Sequence, residues 1–291
     1  MPPQVSHTHS DDGGLTWNPE VQVTTSPGGG FFCSAAASGS SVHVAYVDAR
    51  DGSSEVSYTR SLDSGATWSA PVRLSALPHN SYTPTVAVWQ FNVYVAWTDT
   101  RHFGQSFSLE EEYFRRSTDN GATFEPEQRL TIDPLGSPAD SWAPSLAARD
   151  QYVWISWFDS RDGNFEIYVK RSLDAGASWS SDTRWTTTSG QSQRPVIAQR
   201  HSQVFIVHWD NTGLDDEVYF LQSNDLGASW SAPERLTFSD VRSVRPSVAA
   251  AASGVHVAWT DSRDGNDEVY YQRLPGVPAS VKNGRIALTG S

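Results

Sequence analysis

The chain has little sulfur: Cys33 is the only cysteine among its 291 residues. A single thiol excludes an internal disulfide, and the sequence contains neither a CxxC nor an HExxH pattern. It also lacks an apolar run of about 20 residues, the length that a membrane-spanning helix needs. The residues after Met1 show no charged and then apolar leader. We therefore expect no disulfide framework, no membrane span and no export signal within this sequence.

Lysine is also scarce, because Lys170 and Lys282 are the only lysines among the 21 basic residues. The net charge of −12 disfavours nucleic-acid phosphates and anionic membranes as partners, although a local basic pocket could still hold an anion. Arginine in such excess suits planar recognition of carboxylates or phosphates. A coding bias toward arginine is the alternative explanation. The expected partner is a carbohydrate or a small anionic ligand, with no nucleic acid.

Aromatic residues are abundant instead, at 12% of the chain with 12 tryptophans. Large flat side chains are typical of short β-strands that bury them against one another. One motif recurs five times with the form Ser-x-Asp-x-Gly-x-(Thr/Ser)-Trp, Phe replacing Trp once. Its copies span residues 10–17, 61–68, 117–124, 172–179 and 223–230.

The motif has the chemistry of a tight turn. Asp63 can accept hydrogen bonds from backbone N–H groups of its own turn, and Gly65 can adopt the positive φ that a Cβ opposes. In this pattern the chain resembles the Asp-box, or BNR-repeat, proteins of the sialidase-like β-propeller family. Five equivalent turns cannot all serve one active site, so we interpret their aspartates as structural: Asp12, Asp63, Asp119, Asp174 and Asp225.

The five aspartates are separated by 51, 56, 55 and 51 residues. A period near 50 with several strand signals predicts an all-β propeller of four-stranded antiparallel blades. We divide one domain, residues 1–291, into an N-terminal half-blade (1–27), four full blades (28–78, 79–136, 137–188, 189–239) and a last blade with a tail (240–291). Five blades follow if the half-blade completes the last one. Six, the number in sialidases, are the alternative, with a further hairpin at Asn283-Gly284.

A second motif, Asp-x-Arg-Asp-Gly, joins the second and third strands of three repeats, beginning at Asp48, Asp159 and Asp261. The Asp-Gly pairs are hairpin-turn chemistry. The resemblance implies an active site on the face opposite the Asp boxes, where these loops lie. Sialidases carry there an arginine triad, an acidic residue and a tyrosine nucleophile assisted by a glutamate. Their early Arg-Ile-Pro sequence is missing, and Arg194-Pro195 and Arg245-Pro246 echo it only loosely.

Positions that break the repeat discriminate best, because a single site cannot be repeated in every blade. We select as catalytic candidates Tyr82, Asp99 and Glu110, the last two at the ends of a loop that is longer than its equivalents in the other repeats. The ligand-binding candidates are Arg101, His102, Trp142, Arg194, Arg245 and Arg263. The alternatives are that the repeated arginines pair with acidic residues of their own hairpins, and that Tyr82 and Trp142 only seal blade edges.

One further acidic residue ends the second strand of every repeat: Asp48, Asp99, Asp159, Asp210 and Asp261. Converging carboxylates can hold Ca²⁺ through oxygen ligands. The same residues can equally act as turn acceptors. We favour no metal and no required cofactor, with Ca²⁺ at these five residues as the alternative.

Three functions stay open at this point. The leading one is a sialidase-like propeller that binds a glycan, including an acidic one, and acts on it as an exo-glycosidase. The second is a non-catalytic glycan- or protein-binding propeller, and the third is a metal-dependent ester or phosphoester hydrolase. By family resemblance we expect a secreted or periplasmic protein, and because the chain opens inside a repeat, one interpretation is a fragment of a longer protein.

Overall fold

The computed structural model describes residues 2–76, 79–102, 110–132, 139–213, 215–274 and 286–288. These residues form 22 β-strands, and none of them lies in a helix. Accordingly, no helix in this part of the chain could cross a membrane. Asn283-Gly284, Phe103 to Leu109 and the predicted boundary residues 78, 136 and 137 lie outside the described ranges.

The strands form one two-stranded and five four-stranded antiparallel sheets. The two-stranded sheet consists of β1 (Ser6–His7) and β2 (Val21–Gln22). The first two four-stranded sheets are β3 (Gly30–Ser38), β4 (Ser41–Asp48), β5 (Glu55–Ser61), β6 (Val72–Arg73), and β7 (Ser81–Trp89), β8 (Asn92–Asp99), β9 (Glu111–Ser117), β10 (Gln128–Arg129).

The remaining sheets repeat the same order of strands. They are β11 (Ser141–Arg149), β12 (Tyr152–Asp159), β13 (Glu166–Ser172), β14 (Thr183–Arg184); β15 (Ser192–Arg200), β16 (Gln203–Asp210), β17 (Glu217–Ser223), β18 (Glu234–Arg235); and β19 (Ser243–Ala251), β20 (Gly254–Asp261), β21 (Glu268–Leu274), β22 (Ile286–Leu288). The predicted all-β, four-stranded antiparallel architecture is thus confirmed. The residue boundaries assigned to the blades remain predictions.

The expected closure of the first hairpin onto the last repeat is wrong at the level of strand pairing. β21 and β22 complete the last sheet themselves, in the order β19-β20-β21-β22. β1 and β2 pair only with each other among the described strands, with Ser6 opposite Gln22. The strand pattern of the sequence after residue 274 is weak, so it did not indicate that the last repeat supplies its own fourth strand.

The chain separates into two compact units. The first contains Met1–Pro144 and Asp174–Ser178, and the second contains Ser145–Leu173 and Trp179–Ser291. In the first unit the core of β4, β5, β8 and β9 includes Tyr58, Trp97 and Tyr113. In the second unit one core cluster centres on Trp154 and Ile206, and another on Phe205, Phe220 and Trp259.

The N-terminal hairpin packs onto the first four-stranded sheet. Val5 joins Val44 and Tyr46 in one cluster, and Val23 and Trp68 pack against it. Burial of these side chains offsets the entropy of ordering a hairpin that would be marginal in isolation.

A β-bulge interrupts the first strand of the repeats, with register shifts in β3, β7, β15 and β19. At each bulge one non-glycine residue has a positive φ, as Thr83 (47°) and Arg194 (49°) show. Proline follows at Pro84 and Pro195, and a residue before proline is normally pushed toward extended φ and ψ. Such a conformation costs on the order of 1–3 kcal/mol and is concentrated at functional sites in proteins.

The Asp boxes are closed by their own side chains. In the second copy, Thr67 donates to Asp63 through its backbone N–H (2.8 Å) and its hydroxyl (2.6 Å), and Ser61 donates to Oδ1 (2.6 Å). These bonds lower the pKa of Asp63 to about 2, the Ser61 hydroxyl first among them. Trp68 donates its indole N–H to the carbonyl of Gly65 (3.1 Å), so the ring folds back over the turn.

Candidate functional site

A buried aspartate ends the second strand of each four-stranded sheet. Asp99 is fully buried, and Arg101 donates to it from its backbone N–H (2.9 Å) and from its guanidinium (2.9 Å), while Ser81 donates its hydroxyl (3.0 Å). Burial acts to raise the pKa of Asp99, but the bonds and charge of Arg101 lower it below its usual value. Equivalent ion pairs join Asp48 to Arg50, Asp159 to Arg161 and Asp261 to Arg263.

The remaining aspartate, Asp210, has different partners because its repeat lacks the arginine. Asp210 accepts from the backbone N–H of Thr212 (2.6 Å) and from the hydroxyls of Ser192 (2.6 Å) and Thr188 (3.0 Å). Neutral donors therefore replace the guanidinium in this sheet.

In four of the sheets a second buried carboxylate lies opposite the aspartate, at the start of the third strand. Glu111 is in register with Asp99 and forms an ion pair with Arg129. Glu166 pairs with Arg184 (2.9 Å) and Glu217 with Arg235 (2.5 Å). Since each carboxylate has its own cationic or hydroxyl donor, this corner of the repeat satisfies its buried charges internally.

The ligand-binding candidates from this loop are held in that corner. Arg101 contacts Asp99 (2.7 Å) and Glu127, and its guanidinium lies 4.1 Å from the ring centre of Tyr113. His102 is hydrogen-bonded to the Tyr113 hydroxyl (2.7 Å), and burial lowers the pKa of His102. Arg263 pairs with Asp261 and covers Tyr270. Their selection as ligand contacts remains a prediction.

No group of three or more histidine, cysteine, aspartate or glutamate side chains in the described ranges has an arrangement that could hold a metal ion. In particular, Asp48, Asp159 and Asp261 each face an arginine instead of one another's carboxylates. The geometry of these residues does not fit the Ca²⁺ alternative.

A different pair of carboxyls stands out in the first unit. Glu110 is half-buried, forms a side-chain hydrogen bond with Asp140 and receives one from the indole of Trp142. Burial, and then the hydrogen bond and negative charge of Asp140, raise the pKa of Glu110 to about 8. Two carboxyls in contact cannot both ionise without strong repulsion, so the charge of Asp140 favours the protonated form of Glu110.

This acidic pair replaces a neutral contact found in two other repeats. Where the pair has Glu110 and Asp140, the preceding repeat has the Asn80 side chain accepting from the backbone N–H of Ser54 (3.0 Å). In a later repeat Gln191 accepts from the N–H of Phe165 (3.0 Å). All three junctions keep the same backbone bond, such as that from Ser141 N–H to the Glu110 carbonyl (3.1 Å). The backbone is thus the same in these repeats while the side chains change from amide to acid.

Tyr82 and Trp142 occupy matching positions just before the positive-φ residues Thr83 and Ala143. Both aromatic side chains are half-buried. Trp142 lies near enough to the carboxyl of Glu110 to lower the pKa of that group as a hydrogen-bond donor. Tyr82 lies in register with Thr98, next to Asp99, on the sheet that also holds Arg101.

One residue of this site was not selected from the sequence. Glu112 is completely buried and accepts from the Thr98 hydroxyl (3.2 Å), whereas the other third strands carry Val56, Ile167 and Val218 there. Thr98 in turn accepts from the backbone N–H of Ala143 (3.2 Å). A carboxylate at an otherwise apolar repeat position was the available signal, hidden by the neighbouring Glu110 and Glu111.

Arg194 and Arg245 lie in the second unit, at the bulges of the neighbouring strands β15 and β19. Both have positive φ, at 49° and 54°, and both side chains are exposed. Equivalent placement on adjacent strands would let two guanidinium groups face one carboxylate.

The sequence of the chain matches one known protein family over most of its length. A family model described as a BNR repeat-like domain matches residues 44–265, and the chain belongs to this family. The predicted Asp-box resemblance is thereby confirmed. A search of curated protein sequences gives no significant match.

Solved structures with the same fold are β-propeller enzymes. An α-L-arabinanase of Penicillium chrysogenum, complexed with arabinobiose, is similar with a TM-score of 0.63 and 14% identity, covering 88% of this chain and 80% of its own. A GH93 α-L-arabinofuranosidase of Fusarium graminearum has a TM-score of 0.60 at 14% identity, covering 83% and 77%. A Trypanosoma rangeli sialidase has a TM-score of 0.57 at 12% identity, covering 92% and 48%. The chain therefore has the β-propeller fold.

Proposed function

We propose that this chain is a glycoside hydrolase whose proton donor is Glu110. The observation that carries the proposal is the contact of Glu110 with Asp140 beside Trp142, which keeps the Glu110 carboxyl protonated at neutral pH. A glycosidase needs one carboxylic acid with a raised pKa to protonate the leaving oxygen.

Trp142 supplies the sugar contact in this proposal. Its half-buried ring presents an apolar face, while its N–H is directed at Glu110. Glu112 acts as a positioning residue through Thr98, because Thr98 holds the backbone of Ala143 beside the tryptophan. A hydrogen-bonded pair of carboxyls is closer than the separation of roughly 5–9.5 Å between the two catalytic carboxyls of glycosidases. Asp140 therefore raises the pKa of Glu110 and is not the opposing catalytic group.

The substrate class follows from the neighbours and the local charge. Arabinanases and arabinofuranosidases are among the solved structures of this fold, as are sialidases. Two carboxyls at the site repel an acidic sugar, so we infer a neutral arabinose-containing glycan. An acidic sugar remains the second candidate because of the exposed Arg194 and Arg245.

The test is hydrolysis of arabino-oligosaccharides and of an α-sialoside by the purified chain, with and without chelator. Glu110→Gln is expected to lower kcat by about 10²–10⁴-fold, the contribution typical of general acid catalysis. Trp142→Ala is expected to raise KM. Glu20→Gln, on an exposed residue, serves as the matched control.

Each competing function has its own outcome. Binding of arabino-oligosaccharides without turnover would show the non-catalytic propeller. Activity on esters or phosphoesters that disappears with chelator would show the metal-dependent hydrolase. Turnover of the α-sialoside that depends on Arg194 and Arg245 would move the site to the second unit.

A further inference from the structure

One repeat lacks a side chain that the others share. The third residue of the third strand is a tyrosine in four sheets: Tyr113, Tyr168, Tyr219 and Tyr270. In three of them an arginine guanidinium covers the ring, with Arg101 at 4.1 Å from the ring centre, Arg161 at 4.6 Å and Arg263 at 4.4 Å. The first sheet keeps the arginine, Arg50, but has Ser57 in place of the tyrosine.

The missing ring leaves a cavity of about 170 Å³ in the first unit. The side chain of Arg50 is 36% exposed there, compared with 16% for Arg101, 14% for Arg161 and 30% for Arg263. An engineered cavity of roughly 150 Å³ accepts benzene, so this volume is sufficient for one six-membered aromatic ring. The cavity is lined by Asp48, Arg50, Asp51, Glu55, Ser57, Pro71 and Arg73.

The other sheets show which polar group the absent ring would carry. The hydroxyl of Tyr168 donates to Asp162, and that of Tyr270 donates to Asp264. Asp51 occupies the same position in the first sheet. Arg73 already donates to Asp51 Oδ2, but a carboxylate has about four acceptor positions. Asp51 can therefore accept a hydroxyl from a ligand as well.

Charge selects a neutral ligand over an anion. Three carboxylates and two guanidinium groups line the cavity, so its formal charge is negative. Arg50 also donates from Nε to Asp48 (2.7 Å), so the edge of its guanidinium is occupied by that carboxylate. The flat face of the guanidinium stays available for stacking on a ring.

We propose that the Ser57 cavity is a binding site for a phenolic ring. The ring stacks on Arg50, as the tyrosines do on their arginines, and its hydroxyl donates to Asp51. A neighbouring cavity of about 490 Å³ shares Arg50 and Pro71 and is lined by Tyr46 and Trp68, which gives room for the group that the phenol carries. This binding site is separate from the acidic pair and does not depend on the proposed hydrolase activity.

The probe is p-cresol, the tyrosine side chain as a free molecule, which is neutral at pH 7 because a phenol has a pKa of about 10. Titration by calorimetry and ligand-observed NMR is expected to show one site per chain. Ser57→Tyr is expected to weaken binding at least tenfold by filling the cavity, while Ser57→Ala, the matched control, retains it. Unchanged binding to a folded Ser57→Tyr variant would overturn the proposal.

A second comparison tests the hydroxyl contact and does not require the tyrosine variant to fold. Asp51→Asn is expected to weaken p-cresol binding about tenfold, the loss expected for a hydrogen bond to a charged group, and to leave toluene binding unchanged. Equal losses for both ligands would overturn the assignment of Asp51. Displacement of p-cresol by L-arabinose at millimolar concentration would show a sugar site and would overturn the phenolic assignment.

Discussion

At the scale of single residues, the proposed hydrolase activity depends on the protonation of Glu110. Its pKa is raised to about 8 by burial and by Asp140, so the acid form is present at neutral pH and is lost as pH rises through that value. We predict that kcat/KM for an arabino-oligosaccharide falls above a pH of about 8. Asp140→Asn removes the neighbouring charge and is expected to move this limb to lower pH. A limb that does not move would contradict the role of Asp140.

The same pair makes a prediction about stability. A carboxyl whose pKa is higher in the folded than in the unfolded protein stabilises the folded state only below the unfolded value, near 4.5. Between that pH and about 8 the unfolded chain loses its proton first, so the pair increasingly destabilises the fold. Glu110→Gln should therefore become more stable than the wild-type chain as pH rises, although it loses activity.

Urea denaturation at pH 5 and pH 8 measures this effect. The difference in unfolding free energy between Glu110→Gln and the wild-type chain is expected to grow in favour of the variant at the higher pH. A difference independent of pH would show that Glu110 does not titrate in this range.

Some residue assignments could be made from the sequence and others could not. His208 stands where the other second strands carry Tyr46, Trp97, Trp157 and Trp259, which indicates a core position. It is 1% exposed and stacked on Tyr219, and burial lowers its pKa to about 4. The ion pair of Arg50 with Asp48 within one hairpin was also anticipated. The contact of Glu110 with Asp140 was not, because 30 residues separate them in the chain and only the packing of neighbouring repeats brings them together.

At the scale of elements, the corner between the second and third strands is the most repeated polar structure. Asp159 is fully buried and accepts from the backbone N–H of Arg161 (2.9 Å), the indole of Trp157 (3.1 Å) and the Arg161 guanidinium. We predict that Asp159→Ala destabilises the protein by about 1–3 kcal/mol, since it leaves the buried Trp157 indole without its acceptor and leaves Arg161 with Asp182 as its remaining carboxylate.

Denaturation with urea checks this value, with the exposed Asp240→Ala as the control. If the acidic residues between the second and third strands are structural, calcium leaves the midpoint of urea denaturation unchanged in both Asp159→Ala and Asp240→Ala. Recovery of Asp159→Ala stability by calcium, or loss of wild-type stability with chelator, would contradict the internal pairing of these carboxylates.

The strands themselves could be predicted because period and pattern are local. The sequence from Val255 to Asp261 has the period of two that is typical of a strand, and β20 does alternate between buried and partly exposed residues. In β8, by contrast, every residue after Asn92 is buried, because both faces of the strand are covered. The bulges were missed, since a positive φ at a threonine or arginine has no sequence signal comparable to that of glycine.

At the scale of the whole molecule, the repeat predicted the family and the fold, while the chemistry had to come from positions that depart from the repeat. Glu112 and Ser57 each replace a residue type that other repeats share, and Glu110 stands at a position that varies between repeats. Similarity at 9–14% identity to arabinan-acting enzymes and to sialidases shows a common fold. The substrate has to be inferred from the residues of the site.

The most direct test is the rate of arabino-oligosaccharide hydrolysis by the wild-type chain and by Glu110→Gln, measured side by side at pH 7. The account predicts turnover by the wild-type chain and a loss of about 10²–10⁴-fold in the variant, while circular dichroism shows both folded. Equal rates for the two proteins would contradict the assignment of Glu110, and turnover by neither would contradict the proposed hydrolase.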